Sequence, residues 1–201
     1  MSITIGLLLF PDAEELDFVG PWEVFTMAAK ADKGAAAGLK AVLIAETAGT
    51  VRCAKGMRVI ADHGFADAPE LDVLLVPGGM GTRREVDNRK LLDWIAAAAR
   101  PCRWVTSVCT GSYLLAEAGP ARGRNVTTHW GFVDTFRKRG TAEVRTGVRF
   151  VRDGNVVSSA GVSAGIDMAL WLVGQLFDPA YARLVQRNME YEPAPPYTAD
   201  V

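Results

Sequence analysis

The most informative segment of this chain reads Trp104-Val105-Thr106-Ser107-Val108-Cys109-Thr110-Gly111-Ser112-Tyr113-Leu114-Leu115, an apolar run that leads straight into a helical pattern. The run predicts a buried strand, and Gly119-Pro120 marks the end of the helix. Cys109 therefore lies in the bend between strand and helix. We expect the bend to expose the thiol, and the N–H groups of the first helical turn to lower its pKa toward a thiolate. The alternative is a buried cysteine that acts as a small apolar filler.

Short apolar runs alternate with longer helical patterns on both sides of this segment. Such alternation is typical of an α/β protein with a mostly parallel sheet that is covered on both faces. We predict strands near residues 2–10, 41–46, 71–77, 102–107 and 155–158, and a hairpin over 51–61. The predicted helices span 22–31, opened by Pro21 at its first turn, and 84–99, 110–118, 128–138 and 163–177. The last of these is almost wholly apolar, which predicts burial in the domain or in a subunit interface.

Length and charge restrict the class of protein. A chain of 201 residues predicts a single domain over 1–192, with an extended tail over 193–201 that contains Pro193-Ala194-Pro195-Pro196. The net charge is −1 with acidic and basic residues interspersed, so we expect no nucleic-acid or membrane partner and a small, weakly charged ligand.

Cysteine and histidine usage points to a cytoplasmic protein without a metal. Residues 1–10 are apolar but lack a basic start and a cleavage site, so they predict a first buried strand and not a targeting segment. Three cysteines without paired spacing argue against a disulfide framework and favour a reducing compartment. We expect Cys53 and Cys102 to be structural. His63 and His129 are too isolated to predict a metal site.

Asp17 is the first candidate partner for the cysteine. We place it in the loop between the first strand and the first helix, where ligands of open α/β sheets collect. Its neighbours Leu16, Phe18 and Val19 are apolar, so we expect partial desolvation, a raised pKa and proton transfer near neutrality. A helix N-cap is an equally good interpretation of Asp17.

Two further segments could complete a site. Pro77-Gly78-Gly79-Met80-Gly81 follows a predicted strand, and its glycines would let backbone N–H groups approach a ligand, although a plain strand-to-helix turn explains them as well. The segment is not a dinucleotide fingerprint, since Arg84 stands where the third glycine would be. His129 starts a predicted helix and could serve as a base for the cysteine, whereas the alternative is a structural histidine beside a cap formed by Thr127 or Thr128.

Together these segments resemble the DJ-1/PfpI superfamily over nearly the whole chain. The resemblance rests on the acidic segment 14–25, the turn 76–79, the cysteine bend 107–111, the segment 127–130 and a glycine-containing stretch over 159–167. It implies a flavodoxin-like three-layer sandwich with a nucleophile elbow at Cys109, and a two-fold homodimer. It also implies catalytic roles for Cys109, Asp17 and Thr110, substrate contacts at Gly79 and His129, and no metal or organic cofactor.

Two residues select a branch of this superfamily. Thr110 follows the cysteine, whereas protease-like members have a histidine there, and Asp17 stands where DJ-1 itself has a glutamate. These features are similar to the isonitrile hydratase branch, which implies that a thiolate and an acid convert an isonitrile substrate to an N-substituted formamide. The competing expectations are a glyoxalase-like or amidase-like cysteine enzyme, and a non-catalytic sensor of a ligand or of oxidation.

Overall fold

A computed structural model describes residues 2–193 of the chain. Except for Pro193, the predicted C-terminal tail lies outside the described residues. The main sheet has six strands in the order β2-β1-β5-β6-β10-β9, and all neighbouring pairs are parallel except β10 with β9. The predicted α/β fold with a mostly parallel central sheet is confirmed.

The strands of the main sheet are β1 (Thr4–Leu8), β2 (Lys40–Ile44), β5 (Val73–Val76), β6 (Trp104–Val108), β9 (Phe150–Asp153) and β10 (Val156–Ser159). Two small sheets pair β3 (Gly49–Arg52) with β4 (Arg58–Ala61) and β7 (Asn125–Val126) with β8 (Glu143–Val144). The helices are α1 (Glu15–Lys30), α2 (Asp32–Ala36), α3 (Thr82–Glu85), α4 (Arg89–Ala99), α5 (Gly111–Ala118), α6 (Val133–Arg139), α7 (Ala164–Leu176) and α8 (Pro179–Asn188), with a 3₁₀ turn at Trp130–Phe132.

The sheet separates two hydrophobic cores because side chains alternate between its faces. On β1, Ile5 and Leu7 pack with α1, α7 and α8, whereas Leu8 packs with α4, α5 and α6. The strands β1 and β5 are buried on both faces, as expected for the centre of a parallel sheet.

Two predicted helices have different bounds in the structure. Helix α1 begins at Glu15, so Pro21 lies inside it and not in its first turn. The proline is tolerated at this buried position, although its missing N–H leaves one carbonyl without a helical partner. The predicted helix 84–99 is two helices, since Asn88 breaks it and accepts a hydrogen bond from the Leu91 N–H as the N-cap of α4.

The hairpin predicted over 51–61 is confirmed as the antiparallel pair of β3 and β4. The predicted helix 128–138 is a 3₁₀ turn followed by α6. Helix α8 and the edge strand β9 were not predicted; α8 is capped by the Asp178 side chain and packs against α7. Within residues 2–193, no helix is long and apolar enough to cross a membrane.

Candidate active site

Three segments that follow neighbouring strands meet at one edge of the main sheet. The start of α1 follows β1, Gly78 and Gly79 follow β5, and Cys109 follows β6. Because these strands are parallel neighbours, their carboxyl ends lie side by side. The parallel register therefore brings together residues that are far apart in sequence.

Cys109 occupies a strained bend. It lies between the end of β6 and the start of α5 with φ of 58°, a left-handed conformation that costs a residue other than glycine about 1–2 kcal/mol. Its N–H donates to the carbonyls of Ala160 (2.6 Å) and Ser159 (3.1 Å). Its own carbonyl accepts from the hydroxyls of Thr128 (3.0 Å) and Ser112 (3.2 Å). Both sides of the strained peptide are thus held by neighbours.

The resting thiol of Cys109 is not a thiolate, contrary to the sequence-based expectation. Only 6% of the residue is exposed, and burial, followed by the negative charge of Asp17, raises the pKa of the thiol to about 12. The N–H and the hydroxyl of Thr110 act in the opposite direction but are weaker. Sequence reasoning predicted the favourable effect of the helix start and missed the larger cost of burying a charge.

Asp17 is fully buried in the first turn of α1, not in the preceding loop. It is not the N-cap, which is Glu14 without a side-chain capping bond. Its Oδ2 accepts a hydrogen bond from the Gly78 N–H (2.8 Å), whereas no group within residues 2–193 hydrogen-bonds its Oδ1. Burial is the main cause that raises the pKa of Asp17 to about 7, and nearby Glu14 adds to it. The predicted direction of this shift is confirmed.

Gly78 and Gly79 are required by close backbone packing. A Cβ on Gly78 would lie 2.5 Å from the Thr110 nitrogen, and one on Gly79 would lie 2.4 Å from the Glu14 nitrogen. Gly79 also has φ of 118°. Its N–H donates to Oγ1 of Thr110 (3.1 Å), so that this N–H is already engaged within the protein.

His129 follows Thr128, whose hydroxyl donates to the Cys109 carbonyl. Nδ1 of His129 accepts from the Gly131 N–H (3.2 Å), so His129 itself caps the 3₁₀ turn. Thr127 and Thr128 do not cap it, because their hydroxyls donate to the carbonyls of Arg145 and Cys109. The imidazole packs against Gly161, where a Cβ would lie 2.6 Å from Cδ2.

A cavity of about 710 Å³ lies beside residues that hold the bend, and Cys109, Asp17 and Thr110 are not among the residues that line it. Two of its wall residues, Thr128 and Ala160, hydrogen-bond the Cys109 backbone. Its wall also includes His129, Trp130 and Val148. Trp130 is 83% exposed, so the cavity has an apolar rim open to solvent. Among residues 2–193, no group of three or more His, Cys, Asp or Glu side chains could hold a metal ion.

Sequence reasoning missed the residues that hold the site in place. Ser112 and Thr128 support the Cys109 carbonyl, and the fully buried Thr82 hydrogen-bonds Thr110. Ser112 was predicted only as part of the helix after Cys109, and Thr82 lies between the predicted turn 77–81 and the predicted helix 84–99. Small hydroxyl residues have no spacing pattern that reveals their tertiary partners, so the sequence carried no signal for them.

The fold and this site define an α/β protein with a cysteine and a carboxyl group paired at the carboxyl edge of an open parallel sheet. Residues 3–175 match the DJ-1/PfpI family, and the chain belongs to this family. It is 39% identical to the isonitrile hydratase of Pseudomonas putida. The match extends over 197 residues, which are 98% of this chain and 82% of that protein.

Other relatives share less of the sequence or only the fold. The transcriptional regulator GbdR of Pseudomonas aeruginosa is 33% identical over 137 residues, which is 68% of this chain and 37% of the regulator. A ThiJ/PfpI family protein from Pseudomonas syringae superposes with a TM-score of 0.88 at 32% identity, covering all of this chain and 80% of that one. DJ-1beta of Drosophila melanogaster superposes with a TM-score of 0.81 at 21% identity, over 96% of this chain and 100% of that one, and shows the same fold.

Proposed function

We propose that this protein is an isonitrile hydratase, an enzyme that adds water to an isonitrile and releases an N-substituted formamide. The observation that carries the proposal is the near full-length similarity to the isonitrile hydratase of Pseudomonas putida. The pairing of Cys109 with a buried carboxyl group supports it, because the reaction needs a nucleophile and a proton at one carbon atom.

In the proposed first step, Cys109 is the nucleophile and Asp17 transfers its proton. The reactive form of the pair holds one proton between thiol and carboxylate. As the sulfur forms a bond to the isonitrile carbon, Asp17 receives the thiol proton and delivers it to the same carbon. The product is a thioimidate, in which carbon carries a hydrogen, the sulfur and a double bond to nitrogen, and Asp17 is left ionised.

In the second step, the ionised Asp17 accepts a proton from water while the hydroxide adds to the thioimidate carbon. The nitrogen takes that proton. As the carbon–sulfur bond then breaks, the hydroxyl group of the intermediate gives its proton to Asp17, the thiolate leaves and the formamide carbonyl forms, so that the pair again holds one proton. In this proposal the Thr110 hydroxyl holds the nitrogen or the water. Atoms balance as one isonitrile plus one water, and the proposed steps use only Cys109, Asp17 and Thr110, with no metal or organic cofactor.

The cavity beside the bend is the proposed binding site for the substrate's organic group. Trp130 and Val148 give its rim an apolar surface, which suits a hydrophobic substituent, and His129 lines the same wall. Gly79 contributes to the proposed site through Thr110, because the Gly79 N–H donates to the Thr110 hydroxyl and orients it. Cys109 and its bend thus form the proposed nucleophile elbow.

The proposal is tested by incubating the purified protein with a small aliphatic isonitrile and following the formamide proton by NMR. Formamide production that saturates with substrate is the expected result. Methylglyoxal is the matched alternative substrate, assayed through lactate. Lactate without formamide would replace the proposal by a glyoxalase-like activity, and no turnover of either compound would favour a sensor.

A further inference from the structure

Asp17 shares the start of α1 with a second acid, Glu14. Glu14 is the N-cap of the helix, Asp17 is the third residue after it, and the Asp17 N–H donates to the Glu14 carbonyl (3.2 Å). Gly78 holds both residues: its carbonyl accepts from the Glu14 N–H (2.9 Å), and its N–H donates to Oδ2 of Asp17 (2.8 Å). Side chains at these two positions lie on the same side of a helix start, so the two acids are neighbours.

The hairpin turn between β3 and β4 docks onto this helix start. The Ala54 N–H donates to the Ala13 carbonyl (2.9 Å), and the Lys55 N–H donates to Oε1 of Glu15 (2.7 Å). The Lys55 ammonium group forms an ion pair with Glu14. Lys55 is thus held at its backbone by one glutamate and at its charge by the glutamate before it.

These contacts distinguish the pair of Lys55 and Glu14 from an ordinary surface ion pair. Most surface pairs have weak effects, because both long side chains are mobile and water screens their charges. Here the lysine backbone is fixed by a carboxylate, and the Glu14 side chain is only 17% exposed. The ammonium group is therefore held in one place beside the start of α1.

We propose that Lys55 is a positioning residue whose ammonium group, anchored by Glu14, favours ionisation of Asp17. The inference rests on the proposed function and deepens it, since the ionised Asp17 is the base that takes the proton of the Cys109 thiol in the proposed mechanism. A positive charge beside a buried carboxyl group favours the carboxylate. Lys55 thereby extends the ionised form of Asp17 to lower pH.

The charges at the helix start act on Asp17 in opposite directions. Burial is the main cause that raises the pKa of Asp17 to about 7, Glu14 adds to the rise, and Lys55 opposes it. The Cys109 thiol keeps its proton up to a pKa of about 12, so it brings no charge to the site while Asp17 titrates. Loss of the Lys55 charge therefore leaves the field of Glu14 with less opposition.

The other charged groups around the site are engaged by partners of their own. Glu15 accepts from the Lys55 N–H, which a substitution of the lysine side chain retains, and Arg83 donates to the Gly79 carbonyl. The remaining ion pairs are those of Asp12 and Glu85 with Arg84, and of Asp167 with Arg149. Substitution of the Lys55 side chain leaves all of these contacts in place.

The test follows the carboxyl carbon of Asp17 by NMR as a function of pH, in protein labelled with carbon-13 at the aspartate carboxyl groups. Asp17→Asn assigns the signal. Lys55→Met keeps the length of the side chain and removes its charge, whereas Lys55→Arg keeps the charge. We expect Lys55→Met to raise the titration midpoint of Asp17 by about half a pH unit, and Lys55→Arg to titrate like wild type. An unchanged or lower midpoint in Lys55→Met would overturn the proposal.

The anchoring by Glu14 is tested by making the same substitution in a Glu14→Gln background. Without the carboxylate, the ammonium group is no longer held beside the acid. Loss of Lys55 should then move the midpoint of Asp17 much less than it does in the wild-type background. Equal shifts in the two backgrounds would overturn the proposed anchor.

Lys90→Met is the matched control. Lys90 is another exposed lysine paired with a glutamate, Glu46 (3.5 Å), and its loss changes the net charge of the chain by the same amount. This variant should keep the wild-type midpoint of Asp17. An equal rise in Lys90→Met and Lys55→Met would overturn the proposal, because it would show an effect of overall charge.

The titration needs no isonitrile, so its result is independent of the proposed hydration. If hydration occurs, Lys55→Met should move the rising limb of its pH profile by the same amount as the midpoint of Asp17. The expected shift of the midpoint without any formamide would support the role of Lys55 and reject the hydratase.

Discussion

At the scale of single residues, the site is a thiol and a carboxyl group buried together. Burial raises the pKa of both Cys109 and Asp17, so neither group loses its proton easily in the resting protein. Of the two, Asp17 ionises first, at a pKa of about 7. In the proposed mechanism the ionised Asp17 is the base that accepts the thiol proton, so its ionisation gives the reactive form of the pair.

Cys109→Ala should abolish isonitrile hydration and leave the fold intact, because it removes the nucleophile and little packing volume. Intact-protein mass spectrometry should detect a covalent adduct with the wild type and none with the variant. Residual turnover above about a tenth of the wild-type rate would contradict covalent catalysis by this residue.

The rate of hydration should rise with pH through about 7, the pKa of Asp17. Below this pH both groups hold their protons, and no base is present to take the proton from the thiol. Asp17→Asn should lose about a hundredfold in kcat and also lose this rising limb. A variant that keeps the limb would show that another group controls it.

The same residue should control how stability depends on pH. A carboxyl group with a pKa of 3.8 when unfolded and about 7 when folded binds its proton more tightly in the native state, so the free energy of unfolding falls as pH rises between these values. Asn can still accept the Gly78 N–H and carries no charge. We expect Asp17→Asn to be more stable than wild type at pH 8 by on the order of 2–4 kcal/mol, and to gain much less at pH 3.5.

Urea denaturation at the two pH values measures this difference. Burial of an ionised carboxylate predicts a gain that grows with pH. A difference that is the same at both values would show that the substitution acts through packing.

At the scale of elements, helix α7 is fitted closely beneath the cysteine. A Cβ on Gly165 would lie 2.9 Å from a methyl carbon of Val108 and 3.2 Å from Pro21. Val108 is the last residue of β6, next to Cys109, and is fully buried. Any increase in volume at Gly165 therefore presses on the strand end that leads into Cys109.

Gly165→Ala should lower the free energy of unfolding by about 1–3 kcal/mol through overpacking. Gly174→Ala is the matched control in the same helix, because its Cβ would meet only ordinary contacts, the nearest at 3.6 Å. The control should gain roughly 0.5–1 kcal/mol from helix propensity. Equal effects of the two substitutions in urea denaturation would contradict the close fit of α7 on β6.

The predictable elements were those whose signal lies in neighbouring residues. The apolar run before Cys109 predicted a strand, and Gly119-Pro120 marked the end of the helix that follows the bend. The structure confirms the strand, the bend and the helix. The start of α1 was not predictable, since Pro21 is typical of a first turn yet sits here in a buried interior position. Helix α8 was not predicted because it is short and mostly polar, with only Tyr181 and Val185 buried.

The site was predictable in composition but not in energetics. Cys109, Asp17 and Thr110 meet as expected, because parallel strands bring their carboxyl ends together. The predicted shift of the thiol pKa was wrong in direction, because this pKa depends on how completely helices and loops exclude water from the sulfur. That degree of burial is a property of tertiary packing and has no local pattern.

At the scale of the whole molecule, a homodimer remains a prediction, and it now rests on a different surface of the protein. Helix α7 was predicted to be buried in the domain or in a subunit interface, and α1 and α8 pack against it within the chain. The exposed apolar residues Trp130 and Val148 instead border the cavity beside the bend. We predict a homodimer, and sedimentation equilibrium at micromolar concentration should give twice the 21.6 kDa mass of one chain.

Trp130→Ser is the variant that tests this surface. Loss of an exposed indole should leave the fold intact and shift the equilibrium toward the single-chain mass. A single-chain mass for the wild type would refute the dimer, and an unchanged dimer in the variant would place the interface elsewhere.

The two hydrogen bonds from the Cys109 N–H to Ser159 and Ala160 have a consequence for how the protein is made. Ser159 is the last residue of β10 and Ala160 follows it; this strand lies between β6 and β9 and is translated about fifty residues after the cysteine. A nascent chain released or stalled before that strand contains the cysteine without the partners that hold its left-handed backbone. During synthesis the bend at Cys109 therefore cannot be completed until β10 has been translated, after the other five strands of the main sheet.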